Sequence, residues 1–455
     1  MSTQAHSDGT GSFAVAPGLA TPGPSPTSTN FMPKSPETLQ ESGLQDHNIE
    51  SLVLKSLHTV GAASSRQLSE QIKLPGEFIR DCLDRLRAEL LVVHRGTTGL
   101  TDFVFQLTEG GVQRVKQYLT NNSYCGSAPV TLEQYNKSVH AQSTSRSVIK
   151  LDDFRTALQG LYITPDKQSQ LAQAVNAGRG LFLYGPPGNG KTTVAEKLMG
   201  CYPDTIWIPR AIGVSGDIIR LFDSAVHETV DPAEQGYGTE YDARWVLIRR
   251  PTVVVGGELT LEHLEISRQH STNVLEAPVQ MKSNGGVLVV DDFGRQRVSP
   301  TDILNRWIVP LERRVDFLTL PNGRQIQVPF EQTLVLATNL EPTELVDEAF
   351  LRRIPYKVEM IDPDIDSFRT VFEANATQME LKLEDGVFDY LIKTYYEPTE
   401  IPLRYCHARD LLFQISNLCD LHEIPRQVTQ RTLDAVVRNY FGGQERFKSN
   451  ERITK

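Results

Sequence analysis

Residues 181–193 read Leu181-Phe-Leu-Tyr-Gly-Pro-Pro-Gly-Asn-Gly-Lys-Thr-Thr193. The apolar run from Leu181 to Tyr184 predicts a buried strand, and the glycine-rich stretch after it predicts a tight loop. A helix is expected from Thr193 to Met199. Gly185-x-x-x-x-Gly190-Lys191-Thr192 is therefore a Walker A pattern in the strand–loop–helix setting that gives it meaning. Gly185, Gly188 and Gly190 let the backbone curl until successive N–H groups face phosphate oxygens, and the helix adds its positive end. Lys191 reaches the β- and γ-phosphates as a point charge, and the Thr192 hydroxyl is a ligand for Mg²⁺. Pro186, Pro187, Asn189 and Thr193 complete the candidate nucleotide-binding set.

Working outward, residues 285–294 read Gly285-Gly-Val-Leu-Val-Val-Asp-Asp-Phe-Gly294. Four apolar residues ending in two carboxylates fit a buried parallel strand with acids at its carboxyl end. Asp291, 100 residues beyond Lys191, is the candidate Walker B ligand for the Mg²⁺ shell. Asp292 is the candidate group for orienting or activating the attacking water. Thr333-Leu-Val-Leu-Ala-Thr-Asn339 is another buried strand, ending in an amide.

In this order the motifs resemble AAA+ ATPases over residues 148–445. The resemblance implies an α/β P-loop NTPase fold: a doubly wound parallel sheet over 148–360 and a C-terminal helical lid over 361–445. It also implies ATP and Mg²⁺ as ligands, with Asn339 as sensor 1 holding the lytic water beside Asp292. Asp347-Glu-Ala-Phe-Leu-Arg-Arg-Ile354 resembles the arginine-finger segment, so Arg352 or Arg353 would reach a neighbouring subunit's ATP in a hexameric ring. His407-Ala-Arg-Asp-Leu-Leu412 is similar to sensor 2, which assigns Arg409 to the γ-phosphate. Asp316 to Pro329 reads as a hairpin around Pro321-Asn322-Gly323, as in MoxR-like and other clades with a hairpin before sensor 1. A closer resemblance is to bacterial ATPases described as chaperones linked to pilus assembly, which implies a protein client to be remodelled.

Two features depart from the family pattern. Asp292 stands where a glutamate is usual, which points to slow turnover or adjusted geometry. The stretch after the expected second strand, Pro209-Arg-Ala-Ile-Gly-Val-Ser-Gly216, has no aromatic pore residue, so processive threading is unsupported. Residues 229–284 form a long interval between the Walker motifs, with a strand-like Thr252 to Val255 and an exposed-looking Arg244-Trp245.

Outside this core, Pro, Gly, Ser and Thr make up 22 of the first 40 residues, and 1–44 is expected to be a disordered tail. Residues 45–125 predict three helices, a two-stranded wing and a closing helix, resembling a winged-helix α+β domain. Nine basic against eight acidic residues over 47–119 give no phosphate-hugging surface, so DNA is a weaker partner than protein. Residues 126–147 read as a linker and 446–455 as a tail.

The chain has 455 residues, with 56 acidic against 46 basic side chains and a net charge of −10, against a whole-molecule nucleic-acid surface. Five scattered cysteines, Cys82, Cys125, Cys201, Cys406 and Cys419, suggest neither a disulfide framework nor a zinc site. With no leader pattern and no bilayer-length apolar run, a cytoplasmic protein without membrane insertion is expected.

Overall fold

The computed structural model of the chain describes residues 31–98, 102–144, 148–202, 205–269 and 272–442. Its centre is a five-stranded, wholly parallel sheet. We number these strands β1 (Leu181–Tyr184), β2 (Thr252–Val255), β3 (Val287–Val290), β4 (Thr333–Thr338) and β5 (Tyr356–Glu359). They lie in the order β2-β3-β4-β1-β5. The register places Val290 beside Val255 and Leu336, and Thr338 beside Tyr184.

Near-continuous apolar runs suit this sheet because both faces are covered. Leu181, Leu183, Val287, Val289, Val335 and Ala337 pack toward helices 151–157, 165–177 and 191–197. The alternating set of Phe182, Leu288, Val290, Leu334 and Leu336 packs on Ile303 and Trp307 of helix Pro300–Arg313. Side chains alternate along a strand, so one sequence of β-branched residues feeds two cores. The arrangement fits a P-loop NTPase fold.

After β5 the chain forms a helical unit: Ile365–Gln378, Val387–Leu391, a π-helical turn at Ile392–Tyr396, Tyr405–Leu421 and Gln430–Phe441. Phe368, Phe372, Phe388, Leu411, Ile415 and Val437 lie in its core.

A second sheet stands beside the central one. The ladder Val130–Thr131, Ala211–Val214, Asp217–Arg220, Leu275–Glu276 and Ser267–Arg268 joins residues far apart in sequence. Strands Thr205–Pro209 and Trp245–Arg249 pair antiparallel next to it. The hairpin of Val315–Thr319 with Gln325–Pro329 shares this core, placing Leu318, Leu320, Ile326 and Val328 among Trp207, Ile212 and Leu247. Its buried Asp316 accepts from Arg306 Nη1 at 2.7 Å and Gln280 Nε2 at 3.0 Å, which fixes the hairpin to helix Pro300–Arg313.

Several expectations change here. The second central strand is Thr252–Val255, not the run before Pro209, so 209–216 belongs to the side sheet and does not follow a central strand. Both runs are short and β-branched, and only their partners distinguish them. Arg244-Trp245, read as exposed, is buried: Arg244 is 1% and Trp245 4% exposed. Asp242 takes Arg244 Nη2 at 2.7 Å, while Arg244 Nη1 donates to Ser42 O at 2.9 Å and Pro129 O at 3.1 Å. A neutralised, fully bonded guanidinium tolerates burial. Residues 126–147, read as a linker, include strand Val130–Thr131 and helix Leu132–Ala141, opened by a capping box between Thr131 and Gln134.

The N-terminal unit contains helices Asp46–Val60, Ser65–Ile72, Gly76–Ala88 and Glu109–Asn121. Strand Ala62–Ser64, which the sequence reading lacked, joins Val92–Thr98 and Asp102–Leu107 in an antiparallel sheet. Of the expected tail 1–44, residues 1–30 lie outside the described residues. Residues 31–44 pack against the chain around strand Trp245–Arg249 and against the N-terminal unit: Asp242 N donates to Pro33 O at 2.9 Å, Phe31 meets Trp245 edge-on, and Leu44 lies in the N-terminal core. The expected tail 446–455 also lies outside the described residues. Among the described residues, no helix is long and apolar enough to cross a membrane.

Candidate nucleotide site

The Walker loop turns where glycine alone fits. Gly185 has φ +122°, and a Cβ there would stand 2.6 Å from Met360 O; Gly188 has φ +85°, and its Cβ would stand 2.5 Å from Cys406 Sγ. The loop thus passes close between the backbone just after β5 and the start of helix Tyr405–Leu421. Pro187 and Thr193 lie on the exposed side, while Asn189 is buried.

Lys191, Thr192, Asp291, Asp292 and Asn339 stand together. Lys191 Nζ donates to Gly185 O and Pro186 O, each at 2.9 Å, and to Asn339 Oδ1 at 2.7 Å. Thr192 Oγ1 donates to Asp291 Oδ1 at 2.8 Å. Asn339 Nδ2 donates to Asp292 Oδ1 at 3.3 Å. Three strand ends, those of β1, β3 and β4, thus deliver a cation, two carboxylates and an amide to one place, the carboxyl edge of the sheet. Burial pulls the Lys191 ammonium below its usual range, partly offset by Asp291 and Asp292.

The acid pair is set by backbone geometry. Asp291 N donates to Val255 O at 2.8 Å and Phe293 N to Ala337 O at 2.7 Å, bracing the turn from both neighbouring strands. Asp292 sits between them at φ +48°, a left-handed conformation uncommon for a residue with a Cβ. Gln296 Nε2 ties down both carbonyls, Asp291 O at 2.9 Å and Asp292 O at 3.2 Å. The loop therefore fixes where both carboxylates point.

The lid enters at its own helix start. Cys406 N donates to Gly188 O at 2.9 Å. Asp362 accepts from Asn189 Nδ2 at 2.7 Å and also binds Arg404 Nη1. Arg404 is the N-cap of helix Tyr405–Leu421 and is close enough to Lys191 to depress its pKa. Sequence reading missed Arg404 and Asp362. The available signal was position: an arginine just before a helix that starts at the loop faces the loop, whereas one inside the helix need not. Arg409 lies one turn on, pairs with its neighbour Asp410 at 3.0 Å and is 66% exposed. The structure does not bring Arg409 to the Walker loop.

Arg352 and Arg353 stand apart from this cluster. Arg353 binds Glu312 at 2.6 Å and donates to Ala349 O at 2.9 Å, whereas Arg352 is exposed and makes no ion pair among the described residues. With Arg179 they line an open cavity of about 390 Å³.

The donor set suits a magnesium nucleotide. Thr192 and Asp291 supply the hard oxygens, leaving room for the phosphate and water ligands that Mg²⁺ retains. The glycine cradle accommodates phosphate and excludes a Cβ at two points.

A family model described only as a domain of unknown function, DUF8689, matches residues 364–439, within the C-terminal helical unit. No curated protein matches the chain. Solved structures that match include RuvB from Thermotoga maritima, described as a Holliday junction branch migration motor. It has 12% identity and a TM-score of 0.34, covering 61% of this chain and 69% of that one. Two point variants of the same protein match at 13% and 14% identity, with TM-scores of 0.35 and 0.36. They cover 65% and 61% of this chain, and 72% and 70% of theirs.

Proposed function

We propose that the chain is an AAA+ ATPase that binds and hydrolyses ATP with Mg²⁺ and uses the cycle to remodel a protein partner. The meeting of Lys191, Thr192, Asp291, Asp292 and Asn339 at one sheet edge carries this reading. Lys191 neutralises phosphate charge, and Thr192 with Asp291 holds the metal shell. When bound, Mg²⁺ draws charge from the phosphate oxygens. Asp292, aligned by Asn339, orients a water and takes its proton. Arg404 carries nucleotide state into the lid through Asp362 and Asn189. Arg352, without a partner of its own among the described residues, is the finger presented to a neighbouring subunit of a hexameric ring; Arg353 is held by Glu312.

A protein client is favoured over DNA. The N-terminal unit reads as a winged helix, but the basic residues of helix Gly76–Ala88 are largely neutralised. Arg85 pairs with Asp46 at 2.7 Å and Arg87 with Asp84 at 3.3 Å.

ATP binding and turnover in two variants test the reading. Lys191→Ala removes both, while Asp292→Asn keeps binding and stops turnover. Normal hydrolysis by Asp292→Asn would overturn the assignment of the water-orienting group. Sedimentation that shows a monomer at saturating ATP would defeat the ring.

A further inference from the structure

A second pocket, of about 420 Å³, lies where the N-terminal unit meets the side sheet, and it shares no residue with the Walker loop. Its walls include Tyr124, Cys125 and Ser127 from the chain leaving helix Glu109–Asn121, and Arg210, Arg220 and Phe222 from the side sheet. Ser123 clasps the two units, donating from N and Oγ to Thr272 O at 2.9 Å each.

Arg210 is held firmly and left without a counter-charge. Its N donates to Arg244 O at 3.0 Å, and its O accepts from Leu221 N and Phe222 N at 3.1 and 3.2 Å. The guanidinium lies 5.4 Å from the Phe222 ring centroid. Its Nε is buried without a hydrogen-bond partner, and among the described residues it forms no ion pair. Among the described residues, the ionisable groups that act on it are the phenols of Tyr124 and Tyr241, with no carboxylate, and burial pulls its pKa below the ordinary value. Arg220, by contrast, is neutralised by Glu276. Ser127, which also lines the pocket, is 6% exposed, and among the described residues its Oγ has no partner either. The Tyr124 hydroxyl is committed to Ser127 O at 2.8 Å.

A half-buried cation without an anion and a buried hydroxyl without a partner are each unfavourable, and here the two residues that carry them line one cavity. We propose that this junction binds a small tetrahedral oxyanion, phosphate or the phosphate group of a monoester, between Arg210 of the side sheet and Ser127 of the N-terminal unit. Donors from separate chain segments suit a tetrahedral anion better than a planar carboxylate. An anion there bridges two units that otherwise meet through the Ser123 clasp and neighbouring packing, so its binding stiffens the joint.

The test uses the full chain carrying Lys191→Ala, which silences phosphate binding at the Walker loop. Calorimetric titration with inorganic phosphate, against acetate at equal ionic strength, reads the second site. Saturable phosphate binding is expected, with a melting temperature that rises with phosphate. Adding Arg210→Gln lowers the affinity at least about tenfold and removes that rise, as loss of a charged hydrogen bond requires. Ser127→Ala, which leaves the charge in place, lowers it about three- to tenfold and decides the matter if Arg210→Gln misfolds by circular dichroism. No saturable binding in the Lys191→Ala chain, or unchanged binding in the folded Arg210 or Ser127 variants, overturns the site. Equal affinity for acetate overturns its assignment to phosphate.

Discussion

Arg404 and Arg409 give the sharpest separation between two accounts of the lid. Arg404 binds Asp362, which also accepts from the Walker-loop amide of Asn189 at 2.7 Å. Arg404 lies close enough to Lys191 to depress its pKa. Its side chain is 18% exposed, against 66% for Arg409, whose partner is the adjacent Asp410. Removing a preorganised donor from a phosphate site costs about 10²–10³-fold in kcat. Loss of one charge-assisted hydrogen bond costs about 1.5–3 kcal/mol in binding, which is about tenfold to a hundredfold in Kd. Arg404→Ala should therefore reduce turnover by about two orders of magnitude and weaken nucleotide binding by about one. Folding should change little, since Asp362 keeps the Asn189 amide; about 1 kcal/mol is expected. Arg409→Ala removes an exposed pair worth about 0–1 kcal/mol and should alter turnover less than about threefold. A coupled ATPase assay with fluorescent-nucleotide titration reads both quantities. Loss of turnover in Arg409→Ala with Arg404→Ala intact would refute the assignment and restore the sequence-based one.

Three further outcomes follow from the same geometry. Gly188→Ala places a Cβ 2.5 Å from Cys406 Sγ at φ +85°, so about 1–2 kcal/mol of backbone strain adds to a clash. Nucleotide Kd should rise about tenfold by fluorescence titration, and Cys406→Ala should recover only the part due to the clash. Arg244→Ala leaves the buried Asp242 carboxylate unpaired and should cost about 3–5 kcal/mol in urea unfolding followed by tryptophan emission; Asp242→Leu with Arg244→Met should recover more than half. Burial lowers the pKa of His407 to about 4, from an ordinary 6.5. The unfolded chain thus binds the proton first, so stability falls as the pH drops from about 6.5 toward 4, by up to about 3 kcal/mol. Melts of wild type and His407→Gln at pH 7 and pH 5 should show a smaller acid loss in the variant.

What the sequence disclosed divides along a physical line. The Walker loop, the acid pair and Asn339 are local signals: each is an apolar run ending in a polar group, and the end of a parallel strand is where such groups emerge. The side sheet is not local. Val130 finds Ile212, and Leu275 finds Ile219, across intervals that carry no periodic trace. A two-residue strand such as Val130–Thr131 is set by its partner and not by propensity. The same limit explains Arg244, whose charge alone reads as solvated until Asp242, Ser42 and Pro129 close around it. It also bears on Arg409, which the resemblance singled out, and on Arg404, which it did not. Both precede or open one apolar-periodic helix, and periodicity reports which face is buried without saying where the first turn begins. The Cys406–Gly188 bond places that first turn on the Walker loop and Arg404 ahead of it, and an arginine's usefulness to a phosphate depends on that difference of five residues.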